Sequence, residues 1–165
     1  MKRPGFSLIE MLIAISIFSL LSSFVVANYR TNEKAKRLKN QAQLIVSSLE
    51  RTQNMALTGE AVAGIVPLGY HFKMTNCVNG CSYGIFAETV GESIPLFSGN
   101  LTGLSGETSD GLGELLVSFS VPRGRMVLAD EREEVSLSLS VSDNNYCVRI
   151  NSVSGRIDSF SGECL

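Results

Sequence analysis

Few side chains in this sequence are of a type that does chemistry, and their spacing narrows what that chemistry is. Cys77, Cys81, Cys147 and Cys164 are the four cysteines. Four thiols make either two disulfides in an oxidising compartment or a tetrahedral zinc site. Cys77-Val78-Asn79-Gly80-Cys81 holds Asn-Gly, the pair a tight turn favours. A short Cys77–Cys81 bridge is therefore expected, which leaves Cys147 with Cys164. A zinc knuckle, the rival, usually has two intervening residues where three stand here. His71, the single histidine, lies between Tyr70 and Phe72 on an expected strand and reads as structural. Asp130, Glu131, Glu133 and Glu134 surround Arg132 and read as a solvated turn, without the oxygen-and-glycine spacing of a calcium loop. Asp143-Asn144-Asn145 reads as a strand-joining turn. No glycine loop with a lysine cradles phosphate. No set of nucleophile, base and orienting group can be drawn, so neither an enzyme nor a cofactor is expected.

One carboxylate does stand out. Lys2 and Arg3 open the chain, and an apolar run then reaches Tyr29. Glu10 is the only charge inside it, and Met11 to Ala27 carries none. About 20 apolar residues cross a bilayer as a helix, and an acid inside such a run is costly unless paired. Gly5-Phe6-Ser7-Leu8-Ile9-Glu10 closely resembles the processing site of type IV prepilins and type II secretion pseudopilins. The resemblance implies cleavage between Gly5 and Phe6 by a prepilin peptidase, N-methylation of Phe6, and an assembly role for Glu10. The alternative is an ordinary secretory signal peptide cut after Val25-Val26-Ala27, followed by a secreted or membrane-tethered binding domain. Glu10 is misplaced for that, and the helical pattern continues past Ala27.

The elements that would hold these residues follow from hydrophobic period. Ala35, Leu38, Ala42, Ile45, Leu49, Thr52 and Ala56 recur three and four apart, one apolar stripe on a helix. No Pro or Gly interrupts Phe6 to Leu57, and Gly59 is the expected stop. Within the apolar part, Ser16, Ser19, Ser22 and Ser23 are the only weak points. From Ala61 the period is two. Gly69–Met74, Tyr83–Glu88, Leu115–Val121, the Val135–Val141 alternation with serine, Tyr146–Ile150 and Arg156–Phe160 read as strands. Ser98–Gly113, rich in Gly and Ser, reads as a long surface loop. The expectation is an α+β, pilin-like fold: leader peptide 1–5, transmembrane helix half 6–29, amphipathic helix half 30–58, and an exported β-rich domain 59–165.

The back half resembles a subgroup with the minor pseudopilin H of type II secretion and FimT-like minor pilins. Val121-Pro122-Arg123-Gly124 and Ser154-Gly155-Arg156-Ile157 carry that likeness. Some minor pilins of this type serve DNA uptake through a Gly-Arg-x-Arg pattern. Here Gly155-Arg156-Ile157 ends in Asp158, and from Thr52 onward thirteen acidic residues face six basic ones. DNA is therefore not an expected partner. The resemblance implies other pilin or pseudopilin subunits, the peptidase/methyltransferase and the membrane as partners. It also implies a single-pass inner-membrane precursor, amino terminus inside and domain outside, that passes into a pilus or pseudopilus.

Overall fold

The computed structural model describes residues 7–75, 77, 80–109, 114–128, 132–142 and 144–164; the side chains of 24–31 are outside that set. Two compact units divide the chain, residues 1–36 and 37–165.

Helix α1 runs Leu8–Thr58. In the first unit, Ser7 starts it: the Ser7 carbonyl accepts from the amides of Glu10 (3.1 Å) and Met11 (3.2 Å). The apolar side chains from Leu8 to Leu21 are all well exposed, Leu8 by 80% and Phe18 by 74%. Among the described residues no helix is long and apolar enough to cross a membrane. The expected span 6–29 includes Phe6 and the side chains of 24–29, which lie outside the described residues.

In the second unit, Leu38, Ala42, Ile45, Leu49, Thr52 and Ala56 of α1 are buried. The expected stripe is met from Leu38 onward, whereas Ala35 is exposed. The helix ends at Gly59 (φ +63°), and the Glu60 amide returns to the Met55 carbonyl at 3.2 Å. A left-handed residue followed by that back-bond is the Schellman way of satisfying a last-turn carbonyl, and glycine adopts it without steric cost. The Tyr70 hydroxyl donates to the Glu60 carbonyl, which pins the chain where it leaves the helix. Burial pushes the Tyr70 phenol up from its ordinary pKa, and the Glu60 carboxylate pushes the same way.

Among the described residues, nine antiparallel strands follow in two sheets. The five-stranded sheet holds β1 (Gly69–Thr75), β2 (Gly80–Thr89), β3 (Glu92–Thr102), β5 (Leu115–Ser120) and β6 (Arg125–Leu128), in the order β3-β2-β1-β5-β6. The four-stranded sheet holds β4 (Ser105–Thr108), β7 (Glu134–Val141), β8 (Asn144–Asn151) and β9 (Arg156–Ser161), in the order β4-β7-β8-β9. Alternation decides which side chains go inward. Tyr70, Phe72 and Met74 of β1, Ile85 and Ala87 of β2, and Val117 and Phe119 of β5 join Leu137 and Leu139 of β7 and Val148 and Ile150 of β8. They form one buried cluster with the α1 stripe. At roughly 25 cal/mol per Å² of apolar surface removed from water, this cluster is what holds the helix to the sheets.

One expectation is overturned. Ser98–Gly113 is not a long loop, because its described part holds the end of β3 and all of β4, with Leu101 and Leu104 buried. Residues 110–113 lie outside the described residues. Two of the glycines that suggested a loop, Gly99 and Gly106, serve close packing instead. A Cβ on Gly99 would come within 2.6 Å of the Tyr83 ring, and one on Gly106 within 3.2 Å of Cys77 and Leu139. The serines of β7 are less wet than alternation implies. Ser136 is buried, and its amide donates to the Ser109 hydroxyl at 3.2 Å.

Candidate functional site

The scissile-bond residues expected from the sequence, Gly5 and Phe6, lie outside the described residues. Glu10 is described. It is exposed in the first turn of α1, and the Ser7 amide donates to its Oε2 at 3.0 Å. Ser7-Leu8-Ile9-Glu10 is thus half of a capping box, in which the acid three residues into the helix satisfies an otherwise orphaned amide. The sequence signal for this, Ser-x-x-Glu before an apolar run, was available. A carboxylate in this place also complements the positive end of the helix dipole.

Beyond Glu10 the helix presents hydrocarbon. Three of its serines do not break that surface. Ser16, Ser19 and Ser23 turn their hydroxyls back onto the carbonyls of Ile13, Ile15 and Leu20 at 2.8, 2.9 and 2.7 Å. Each hydroxyl proton is satisfied within its own helix, so these positions can enter a dry environment without a partner. The four described positions Glu10, Ser16, Ser19 and Ser23 therefore combine one charge at the start with three hydroxyls satisfied within an apolar helix.

The cysteines pair as Cys77–Cys81, with Cα atoms 4.2 Å apart, and Cys147–Cys164, 5.3 Å apart. The second bridge ties the segment after β9 to the middle of β8. Two arginines toward the carboxyl end are engaged with acids. Arg156 meets Asp158 at 2.8 Å, and Arg149 meets Glu134 at 3.2 Å while stacking over Phe160. Among the described residues no cluster suits a metal ion.

Two glycine-arginine turns flank the end of α1. At Gly124 (φ +58°) a Cβ would meet Leu57 Cγ at 2.5 Å. At Gly155 (φ +68°) it would meet Gln53 Nε2 at 3.3 Å, and that amide points at the Gly155 carbonyl. Both turns are seated on the last turns of the helix.

Sequence reasoning missed one arrangement. On the outer face of the five-stranded sheet, His71 bridges Ser118 and Glu88, with Nδ1 to Ser118 Oγ at 2.8 Å and Nε2 to Glu88 Oε2 at 2.7 Å. The three residues come from three strands and lie far apart in sequence, so no linear motif announces them.

Residues 1–26 match the family model of the prokaryotic N-terminal methylation motif. No curated protein and no solved structure matches the chain. The motif supports a type IV pilin-like or pseudopilin protein.

Proposed function

We propose that this chain is a pilin or pseudopilin, a structural subunit of a type IV pilus-like or type II secretion filament. The observation that carries the reading is the methylation motif over residues 1–26, on a chain whose first described helix presents exposed apolar side chains and whose second unit is a helix-backed β domain. The precursor sits in the inner membrane with its amino terminus inside and its domain outside. Prepilin peptidase cuts between Gly5 and Phe6, and the new Phe6 amine is methylated. That amine is cationic near neutral pH. In the filament the apolar helices bundle, and the Phe6 amine of one subunit meets Glu10 of a neighbour. Contacts of this head-to-tail kind do not close on themselves and so propagate a filament.

Within the family the chain fits the minor pseudopilin H and FimT-like subgroup. The residues that carry that likeness, Val121–Gly124 and Ser154–Ile157, include the two turns packed against Leu57 and Gln53. The deciding experiment is mass spectrometry of protein extracted from membranes. Phe6 should be the first residue and carry one methyl group. A chain beginning at Asn28 would replace this reading with the signal-peptide one. Gly5→Leu should leave the precursor uncut.

A further inference from the structure

The Ser118–His71–Glu88 row has no part in assembly as proposed above. It crosses three neighbouring strands, β2, β1 and β5. Ser118 stands directly opposite His71 in the ladder, and Glu88 lies two residues beyond Phe86, the partner of His71 on the other side. A carboxylate only accepts hydrogen bonds. When the imidazole is neutral, the ring nitrogen facing Glu88, Nε2, therefore carries its proton. The other nitrogen, Nδ1, is left with its lone pair toward the Ser118 hydroxyl. Glu88 fixes the ring, the ring accepts from the serine, and the serine oxygen gains nucleophilic character. The His71 side chain is 23% exposed and that of Glu88 53%, so the row is open to a reactant from solvent.

Beside it lies a cavity of about 520 Å³ lined by His71, Lys73, Phe86, Ser93 and Leu116. Phe86 and Leu116 give it an apolar floor, and Leu116 is on the same face of β5 as Ser118. Lys73, held by Glu114 at 2.6 Å, is the cation on its wall.

We propose that Ser118 is an acyl-accepting nucleophile, with His71 as its base, Glu88 as the residue that positions the base, and an activated ester with a short apolar acyl chain as the reactant. Ser118 Oγ attacks the ester carbonyl carbon while its proton passes to His71 Nδ1, and the imidazolium is held against Glu88. The bond from the carbonyl carbon to the leaving alcohol breaks, and that alcohol departs with the proton from Nδ1. The product is acyl-Ser118, which water hydrolyses by the same base. The amides of β1, β2 and β5 are spent on strand pairing, so the carbonyl oxygen lacks a backbone cradle. One such donor is worth about 10²–10³ in rate. This restricts the reactant to esters with good leaving groups, such as nitrophenyl esters.

The test uses the full chain in detergent, exposed to p-nitrophenyl butyrate and, separately, to an alkyl fluorophosphonate, with adducts mapped by peptide mass. One adduct per chain is expected, on Ser118. His71→Ala should slow labelling about a hundredfold, the range of general-base catalysis, and added imidazole should restore part of it. Glu88→Gln, on a half-exposed side chain, should slow it less and serves if His71→Ala does not fold. Labelling of another residue, no labelling, or equal rates in wild type and folded Glu88→Gln would overturn the proposal, because a merely structural row leaves the rate unchanged.

Discussion

Glu10 has two candidate jobs, and a three-member substitution series separates them by magnitude. As a helix cap, its oxygen satisfies the Ser7 amide at 3.0 Å. Caps of this sort contribute about 0.5–2 kcal/mol, and the charge at the helix start a further 0.3–1 kcal/mol or so. Glu10→Gln keeps an oxygen at the same reach and so loses only the charge, at most about fivefold in an equilibrium. As the counter-charge of a neighbour's Phe6 amine among packed apolar helices, Glu10 cannot be neutralised without stranding that amine. Breaking one side of a buried pair costs about 3–5 kcal/mol, which is a hundredfold to several thousandfold at about 1.4 kcal/mol per tenfold. The pairing role therefore predicts that Glu10→Gln is nearly as harmful as Glu10→Ala, with Glu10→Asp intermediate because charge remains and reach shortens. The assay is the ratio of subunit in sheared or pelleted filaments to subunit left in membranes, with Phe6 as the first residue checked in each variant. If Glu10→Gln enters filaments within fivefold of wild type while Glu10→Ala does not, Glu10 is a cap and the charge-pairing mechanism is wrong. If either variant stays uncut, Glu10 belongs to recognition by the peptidase.

Other outcomes follow from the second unit. Leu49 is fully buried where α1 meets the sheets, so Leu49→Ala should cost about 2–5 kcal/mol by denaturant melt, and a loss under 1 kcal/mol would mean the helix is not docked there. Cys147→Ser with Cys164→Ser removes a bridge that closes 17 residues and should cost about 3 kcal/mol; unchanged stability under oxidising conditions would show that the bridge does not form. The raised Tyr70 pKa sets an alkaline limit. The folded state holds the phenol proton where the unfolded chain releases it, near its ordinary pKa of 10.0. The contribution is thus full below that pH and is lost as pH rises through the folded value. Tyr70→Phe should remove this alkaline step while costing about 0.5–1.5 kcal/mol at neutral pH for the bond to the Glu60 carbonyl. An alkaline step of equal size in Tyr70→Phe would assign it elsewhere.

Periodicity revealed those parts of the fold where one face is buried. The α1 stripe from Leu38, the Gly59 stop, β1 and the Val135–Leu139 alternation all sit at a boundary between core and water, and that boundary writes itself into the order of residues. The stretch Ser98–Gly113 was misread because composition was used where packing decides. Gly99 and Gly106 are small to make room for Tyr83 and for Cys77, and nothing local distinguishes such a glycine from a turn. The methylation motif is contiguous and was legible at once. The His71 row depends on the pairing of three strands, and pairing across a sheet leaves no trace in linear spacing.

The inward-turned serines of the first helix carry a further consequence. With their hydroxyls bonded to carbonyls of their own helix, Ser16, Ser19 and Ser23 offer a neighbour no free donor over Met11–Ser23. Packing in that stretch is governed mainly by shape and dispersion, which tolerate rotation and sliding. Register between such helices has to be imposed from their ends. A bundle built on that basis accepts helices of differing sequence side by side, so subunits become interchangeable along the rod, and identity is left to the domains outside it.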